Sequence, residues 1–246
     1  MHLIHQFQEL NQSENITLSN SNTYVIISVV LIILIFIVAL LSWFFAYKKK
    51  KKSQSQPEGL RFENEVSDYL EEILKKTDFD FIRSTLFSYD SKMYEVDGIL
   101  ISNSLIVVVE SKAFHGTLQG DSAQEYLTLS SLNNKKTSFK NPILQNEKHI
   151  LHIWKTLGKK IPIASLVVFP DDLNIQISNL DSHVILTNVN KLEKEISMLH
   201  EFSRQQPPQF RKESIISLLR ALSAKSKSEK KKFEKIINRK GQHAKK

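Results

Sequence analysis

The chain has 246 residues, a formal charge of +8 and no cysteine. Disulfides and thiolate metal sites are therefore excluded, and the length allows one soluble domain with appendages. The charge is unevenly spread: residues 59–223 hold 19 Lys and Arg against 21 Asp and Glu, residues 224–246 hold 10 against 2, and residues 48–52 are five lysines. The body is thus close to neutral, and the positive excess lies in two polar segments.

Residues 1–23 contain no Lys or Arg and read as a short extracytoplasmic tail. Residues 24–47, YVIISVVLIILIFIVALLSWFFAY, contain no charge at all. As a helix this stretch would span about 36 Å, enough for a hydrocarbon core of about 30 Å. Tyr24 stands at one end and Trp43 and Tyr47 near the other, where aromatic side chains favour the membrane interface. A cleavable signal peptide fits poorly, because no positive residue precedes the run, the run is too long and no small-residue cleavage site follows. The stretch predicts one transmembrane helix, with the lipid bilayer as a partner. The lysines at 48–52 place the carboxyl-terminal body on the cytoplasmic side of the cell membrane and the amino terminus outside. Residues 48–58 then read as a basic linker rich in Ser and Gln.

The body begins with a helix over 61–76, with Phe62, Val66, Tyr69, Leu70, Ile73 and Leu74 on one face and Glu63 beside it. A strand is expected over 79–87 and a polar turn over 88–92. Two adjacent strands follow, flanking Ser102-Asn103-Ser104. Alternation along the second puts Glu110 and Lys112 on the same side, and Asp97 on the first can face them. Two carboxylates and an amine converging there could hold a hard divalent cation beside a phosphate; charged strand ends that merely meet solvent or pair with each other are the competing reading. Residues 116–120 and 125–132 suggest a hairpin, 141–157 a helix, 163–169 a buried strand and 183–187 a weaker one. Two helices are expected over 191–204 and 210–223, separated by Pro207-Pro208. Residues 224–246 form a basic tail in which Phe233, Ile236 and Ile237 make a short apolar face. That tail can bind nucleic acid, lie on anionic lipid, or stay solvated and partly helical.

Asp97, then a dozen residues, then Glu110-Ser111-Lys112, resembles the core of the PD-(D/E)XK nuclease superfamily. Three further pieces resemble its nuclease-related (NERD) branch: Gly59-Leu60-Arg61-Phe62-Glu63 opening a helix, Lys112-Ala113-Phe114-His115-Gly116, and Asn141-Pro142-Ile143-Leu144-Gln145-Asn146. Each piece alone is weak; the four in order are fairly specific. The resemblance covers about residues 59–170. It implies an α/β fold, a restriction-endonuclease-like mixed sheet flanked by helices, here preceded by one transmembrane helix and followed by a helical basic tail. The nuclease-like domain is expected over 59–190 and the helical extension over 191–223.

The resemblance also implies roles. Asp97 and Glu110 would hold Mg²⁺ or Mn²⁺, with the Ser111 carbonyl as a further ligand, and Glu63, favoured over Glu65, would complete the carboxylate set. Lys112 would orient water or stabilise developing charge. Gln145 would hydrogen-bond the lysine or a phosphate, the alternative being an ordinary exposed helix residue. His115 reads as a turn residue. His149 and His152 share a helical side but lack a Cys or acidic partner nearby in sequence, so no zinc site is expected. The function expected is a membrane-anchored, divalent-metal-dependent nuclease acting on nucleic acid, DNA in preference to RNA, at the cytoplasmic face. The alternative is a non-catalytic membrane-tethered nucleic-acid-binding or scaffold protein with the same fold.

Overall fold

The computed structural model describes residues 29, 31–43, 57–89, 92–131, 133, 135–158 and 160–223. Two compact units divide the chain, Met1–Gln56 and Pro57–Lys246. In the first, residues 31–43 are helical (α1), and every one of their side chains is exposed. Among the described residues no helix is long and apolar enough to cross a membrane. The remainder of the span expected over 24–47 lies outside the described residues, as do the basic tail at 224–246 and all but the end of the linker at 48–58.

In the second unit, α2 (Glu58–Leu74) starts three residues earlier than expected, the Pro57 carbonyl accepting the Arg61 N–H at 3.0 Å. Its buried face is Phe62, Val66, Leu70, Ile73 and Leu74, the helical spacing read from sequence. That face lies on a five-stranded sheet of order β1-β2-β3-β7-β9. Its strands are β1 (Asp80–Tyr89), β2 (Lys92–Ile101), β3 (Ile106–Ser111), β7 (Ile163–Phe169) and β9 (Val184–Asn188). The first three pair antiparallel, whereas β3, β7 and β9 run parallel. β3 and β7 are buried along their whole length, which is why both read as unbroken apolar runs. Helices α2 and α4 (Val189–Gln205) cover Leu100, Val107, Val109, Leu166 and Val168 on one face. Helices α3 (Pro142–Leu157) and α5 (Lys212–Leu222) cover Ile99, Ile101, Ile106 and Val108 on the other. The β2–β3 turn fastens α5, because the Asn103 carbonyl accepts from Gln209 and Phe210, and its side chain from the Lys212 N–H.

A second sheet was not expected. It has the order β6-β5-β4-β8, built from β4 (Gly116–Asp121), β5 (Tyr126–Ser130), β6 (Lys136–Lys140) and β8 (Leu173–Ser178). The anticipated hairpin is its β4–β5 pair; β6 and β8 extend it on either side. Its apolar face, with Leu118, Leu127 and Leu173, packs on Val167 and Phe169 of β7. The chain passes from the first sheet to the second through residues 112–115, and Gly116 makes the entry. Gly116 has φ +108°, and a Cβ there would lie 2.2 Å from the Ser130 carbonyl oxygen. Both the backbone angle and the contact demand glycine. Gly116→Ala is therefore expected to lower stability by about 3 kcal/mol, strain and displaced β5 backbone together, read as a fall in the urea midpoint at unchanged slope. A loss under half a kcal/mol would refute it.

Candidate active site

β3 is apolar until its last two residues, and the chemistry starts where the apolar run stops. Glu110 is fully buried, although it is a carboxylate. It follows Ile106 and Val108 in the alternation, so it faces the α3 side of the sheet. Its Oε1 accepts from the ammonium of Lys112, two residues on and on the same side. The β2–β3 ladder ends at Gly98↔Val109, which would leave the Ser111 N–H without a partner on that side. Asp97 supplies it: Asp97 Oδ2 accepts from the Ser111 N–H at 2.9 Å and from Ser111 Oγ at 3.0 Å. Asp97 has no paired partner on β1, where the same register resumes at Val96, and it lies beyond the end of the β3 ladder; Val96 and Ile99 pack on the same face although three apart. The strand alternation therefore breaks at Asp97-Gly98, which frees the Asp97 side chain to reach the end of β3. Gly98 fits the break because Phe81 lies across it, with Cε2 2.9 Å from where a Cβ would stand.

Three acids and one lysine share this end of the sheet. Burial, then the charges of Glu110 and Glu63, push the Asp97 carboxyl up to about 7, against the pull of Ser111 and Lys112. Burial pulls the Lys112 ammonium down, but Glu110, Asp97 and Glu63 outweigh it and hold Lys112 above its ordinary value. Glu63, half-buried on α2, thus acts electrostatically on both groups. Glu65 is exposed and pairs with Arg61 at 3.7 Å, so of the two glutamates Glu63 belongs with the site.

Among the described residues no three His, Cys, Asp or Glu side chains stand grouped to hold a metal ion. Asp97 and Glu110 are turned to Ser111 and Lys112 instead. The donor set nonetheless suits a hard cation. Carboxylates outnumber the lysine, Asp97 is pushed up by burial and then by its acidic neighbours, and the buried Glu110 Oε2 makes no hydrogen bond among the described residues.

The other expected residues are dispersed. Gln145 is half-buried in α3, and no hydrogen bond of its side chain is seen among the described residues. Its neighbour Asn146 makes the connection instead, donating through Nδ2 to the Val108 carbonyl and to Ser165 Oγ, both at 2.9 Å. One turn on, His149 is buried with Nε2 3.5 Å from Glu110 Oε2. Sequence reasoning gave Asn146 no role of its own and set His149 aside for want of an acidic partner nearby in sequence; Glu110 approaches it from β3. Asn146 and His149 fall at i and i+3 with Ile150 and Ile153, the signature of a core-facing stripe that also carries polar groups. His152 stacks on Tyr94 at 4.5 Å. His115 lies apart, held by Asp172 at 2.7 Å and Glu58 at 3.3 Å, which raise it above the usual imidazole range against a smaller opposing effect of burial.

Residues 58–170 match the family model of the nuclease-related domain, NERD. The chain carries a NERD domain. NERD belongs to the PD-(D/E)XK-like nuclease superfamily. The matched segment runs from the first residue of α2 to just past β7 and contains Glu63, Asp97, Glu110, Lys112, Gln145, Asn146 and His149. An uncharacterized protein of Bacillus anthracis is 29% identical over 107 residues, which are 42% of this chain and 50% of the relative. The chain thus spans about half the length of that relative. No solved structure matches.

The raised Asp97 carboxyl in the NERD domain has a consequence for stability. Between the unfolded value near 3.8 and the folded value of about 7, only the folded protein keeps the proton. The contribution is fully present below the lower value and is lost as pH rises to the higher one. Without divalent cations the chain is expected to lose about 2 kcal/mol between pH 5.5 and 8 through this group. Asp97→Asn should remove that part, leaving the His115 titration unchanged. Denaturant unfolding in chelator at the two pH values measures it. Equal pH dependence in both proteins would contradict the assignment.

Proposed function

We propose that this chain is a divalent-metal-dependent nuclease that hydrolyses phosphodiester bonds of nucleic acid. The observation that carries the reading is the end of β3, where a fully buried Glu110 bonded to Lys112 lies among the charges of Asp97 and Glu63 inside a NERD domain. Asp97, Glu110 and Glu63 would hold Mg²⁺ or Mn²⁺. When bound, such a cation neutralises phosphate charge and acidifies a water. Lys112 stays cationic at neutral pH and donates to Glu110, so it can place an ammonium beside the scissile phosphate and stabilise the negative charge that builds there. Asp97, bonded to the backbone of Ser111, keeps the two strand ends in register with each other. Gln145, whose side chain makes no hydrogen bond among the described residues, is available to a phosphate oxygen.

We further infer that residues 24–47 anchor the nuclease in the cell membrane, with the domain on the cytoplasmic side. What supports this is the uncharged sequence, the exposed apolar side chains of α1 such as Ile32, Ile35 and Phe36, and the lysines at 48–52. The segment 57–246 should then be protected from protease added to intact cells. Digestion of that segment in cells with demonstrably sealed membranes would reverse the orientation.

The enzyme reading is tested with purified protein, labelled DNA and RNA, and a Mg²⁺ and Mn²⁺ titration. Wild type should cut only with metal. Lys112→Ala should lose about 10²-fold or more in cleavage rate while binding nucleic acid within about twofold of wild type, because the ammonium acts on charge present only in the transition state. Wild-type protein that binds but never cuts would favour the non-catalytic tether, and cleavage surviving Lys112→Ala unchanged would point to a contaminant.

A further inference from the structure

Four polar atoms are buried without a hydrogen bond among the described residues, and they belong to three side chains: Glu110 Oε2, Asn146 Oδ1, and both ring nitrogens of His149. Leaving such a group unpaired costs about 1–3 kcal/mol. A core under no other demand would place an aliphatic side chain at 149, since its helical neighbours Ile150 and Ile153 are fully buried. Instead the imidazole of His149 is aimed at the one carboxylate oxygen that Lys112 leaves free, at 3.5 Å.

The surroundings hold it there. Asn146, one turn earlier on α3, donates to the Val108 carbonyl of β3 and to Ser165 Oγ of β7. Those two bonds fix α3 over the strand that ends in Glu110. Tyr94 of β2 stacks beside the His149 ring, centroids 6.4 Å apart at 27°, and also against His152. The ring is thus confined between a helix fixed to β3 and an aromatic wall. Among the described residues packed around it, Glu110 alone is charged and within ion-pair distance; the Tyr94 hydroxyl is turned to Thr156 Oγ1 at 3.3 Å.

We propose that His149 is the positioning residue of Glu110: its Nε2, 3.5 Å from Oε2, is placed to donate to that oxygen and so to fix the rotation of the carboxylate, so that Glu110 meets a cation in one orientation. The proposal rests on the nuclease reading for its consequence in catalysis, but not for its consequence in cation binding. A hydrogen bond to the far oxygen of a carboxylate orients it and keeps it from turning away. Loss of such outer partners commonly lowers metal affinity or activity by about 10–100-fold.

The test uses the full chain in detergent and three variants: His149→Gln, which keeps a donor, and His149→Phe and His149→Leu, which remove it. Mn²⁺ affinity is measured by calorimetry without nucleic acid, and kcat and KM are measured separately on labelled DNA. We expect His149→Phe or His149→Leu, whichever melts as wild type does, to bind Mn²⁺ about 10-fold or more weakly. Its kcat should fall with KM for DNA unchanged, and His149→Gln should recover most of both. Unchanged Mn²⁺ affinity in a folded donor-less variant overturns the proposal. So does equal loss in His149→Gln, and so does a chain that folds with Gln but with neither Phe nor Leu, since each outcome makes the ring a packing element. A wild type that binds Mn²⁺ yet never cuts would remove the nuclease reading while the calorimetric comparison still decides the role of His149.

Discussion

A carboxylate at the buried end of an apolar strand needs a counter-charge, and Lys112 provides one for Glu110. Moving an unpaired carboxylate out of water costs several kcal/mol even after relaxation, far more than one buried Val or Ile returns. β3 can carry Glu110 at its end only because the chain brings Lys112, one residue past the strand, back to the side of the glutamate. Everything else near the site follows from that pairing. Lys112 spends its charge on Glu110, so Asp97 is left to satisfy the Ser111 backbone. Burial raises its carboxyl, and the charges of Glu110 and Glu63 raise it further. An ion pair of this kind is a weak source of stability. Stability alone therefore does not account for its place at the end of the central strand.

Much of this was legible in the chain. The Ile- and Val-rich runs at 99–101 and 106–109 could only be interior strands, and the turn between them set Asp97 and Glu110 on neighbours. The helical stripe on α2 was equally plain. The second sheet was not. β6, Lys-Thr-Ser-Phe-Lys, has one apolar residue and no period, and it is a strand because β5 pairs with it. β8 does alternate, Leu173, Ile175 and Ile177 inward, but a six-residue alternation after a Pro-Asp-Asp turn is easily read as loop. Its strand partner is β4, far back in the chain.

The site divides the same way. Charged residues on a strand stand out against an apolar background, which is why Asp97, Glu110 and Lys112 draw attention in the sequence. Asn146 and His149 lie on a helix whose sequence mixes polar and apolar residues, and only the packing of α3 on β3 shows that their stripe faces inward. Gln145 illustrates the converse. A family-like motif drew attention to it, yet in the folded chain the structural bond of that motif is made one residue later.

The parallel pairing of β3 with β7 has a further consequence, in time. Ser111 is opposite Val168, about 57 residues later in the chain, with the whole second sheet apart from β8, and all of α3, in between. At roughly 5–20 residues per second of synthesis, β3 waits several seconds for the strand that covers its open edge. During that interval an apolar strand has one free hydrogen-bonding edge, a template for pairing with other chains. The same delay keeps Glu110 and Lys112 from being enclosed until most of the domain exists, so a nascent or truncated chain carries the acidic and basic groups without the buried setting that pairs them.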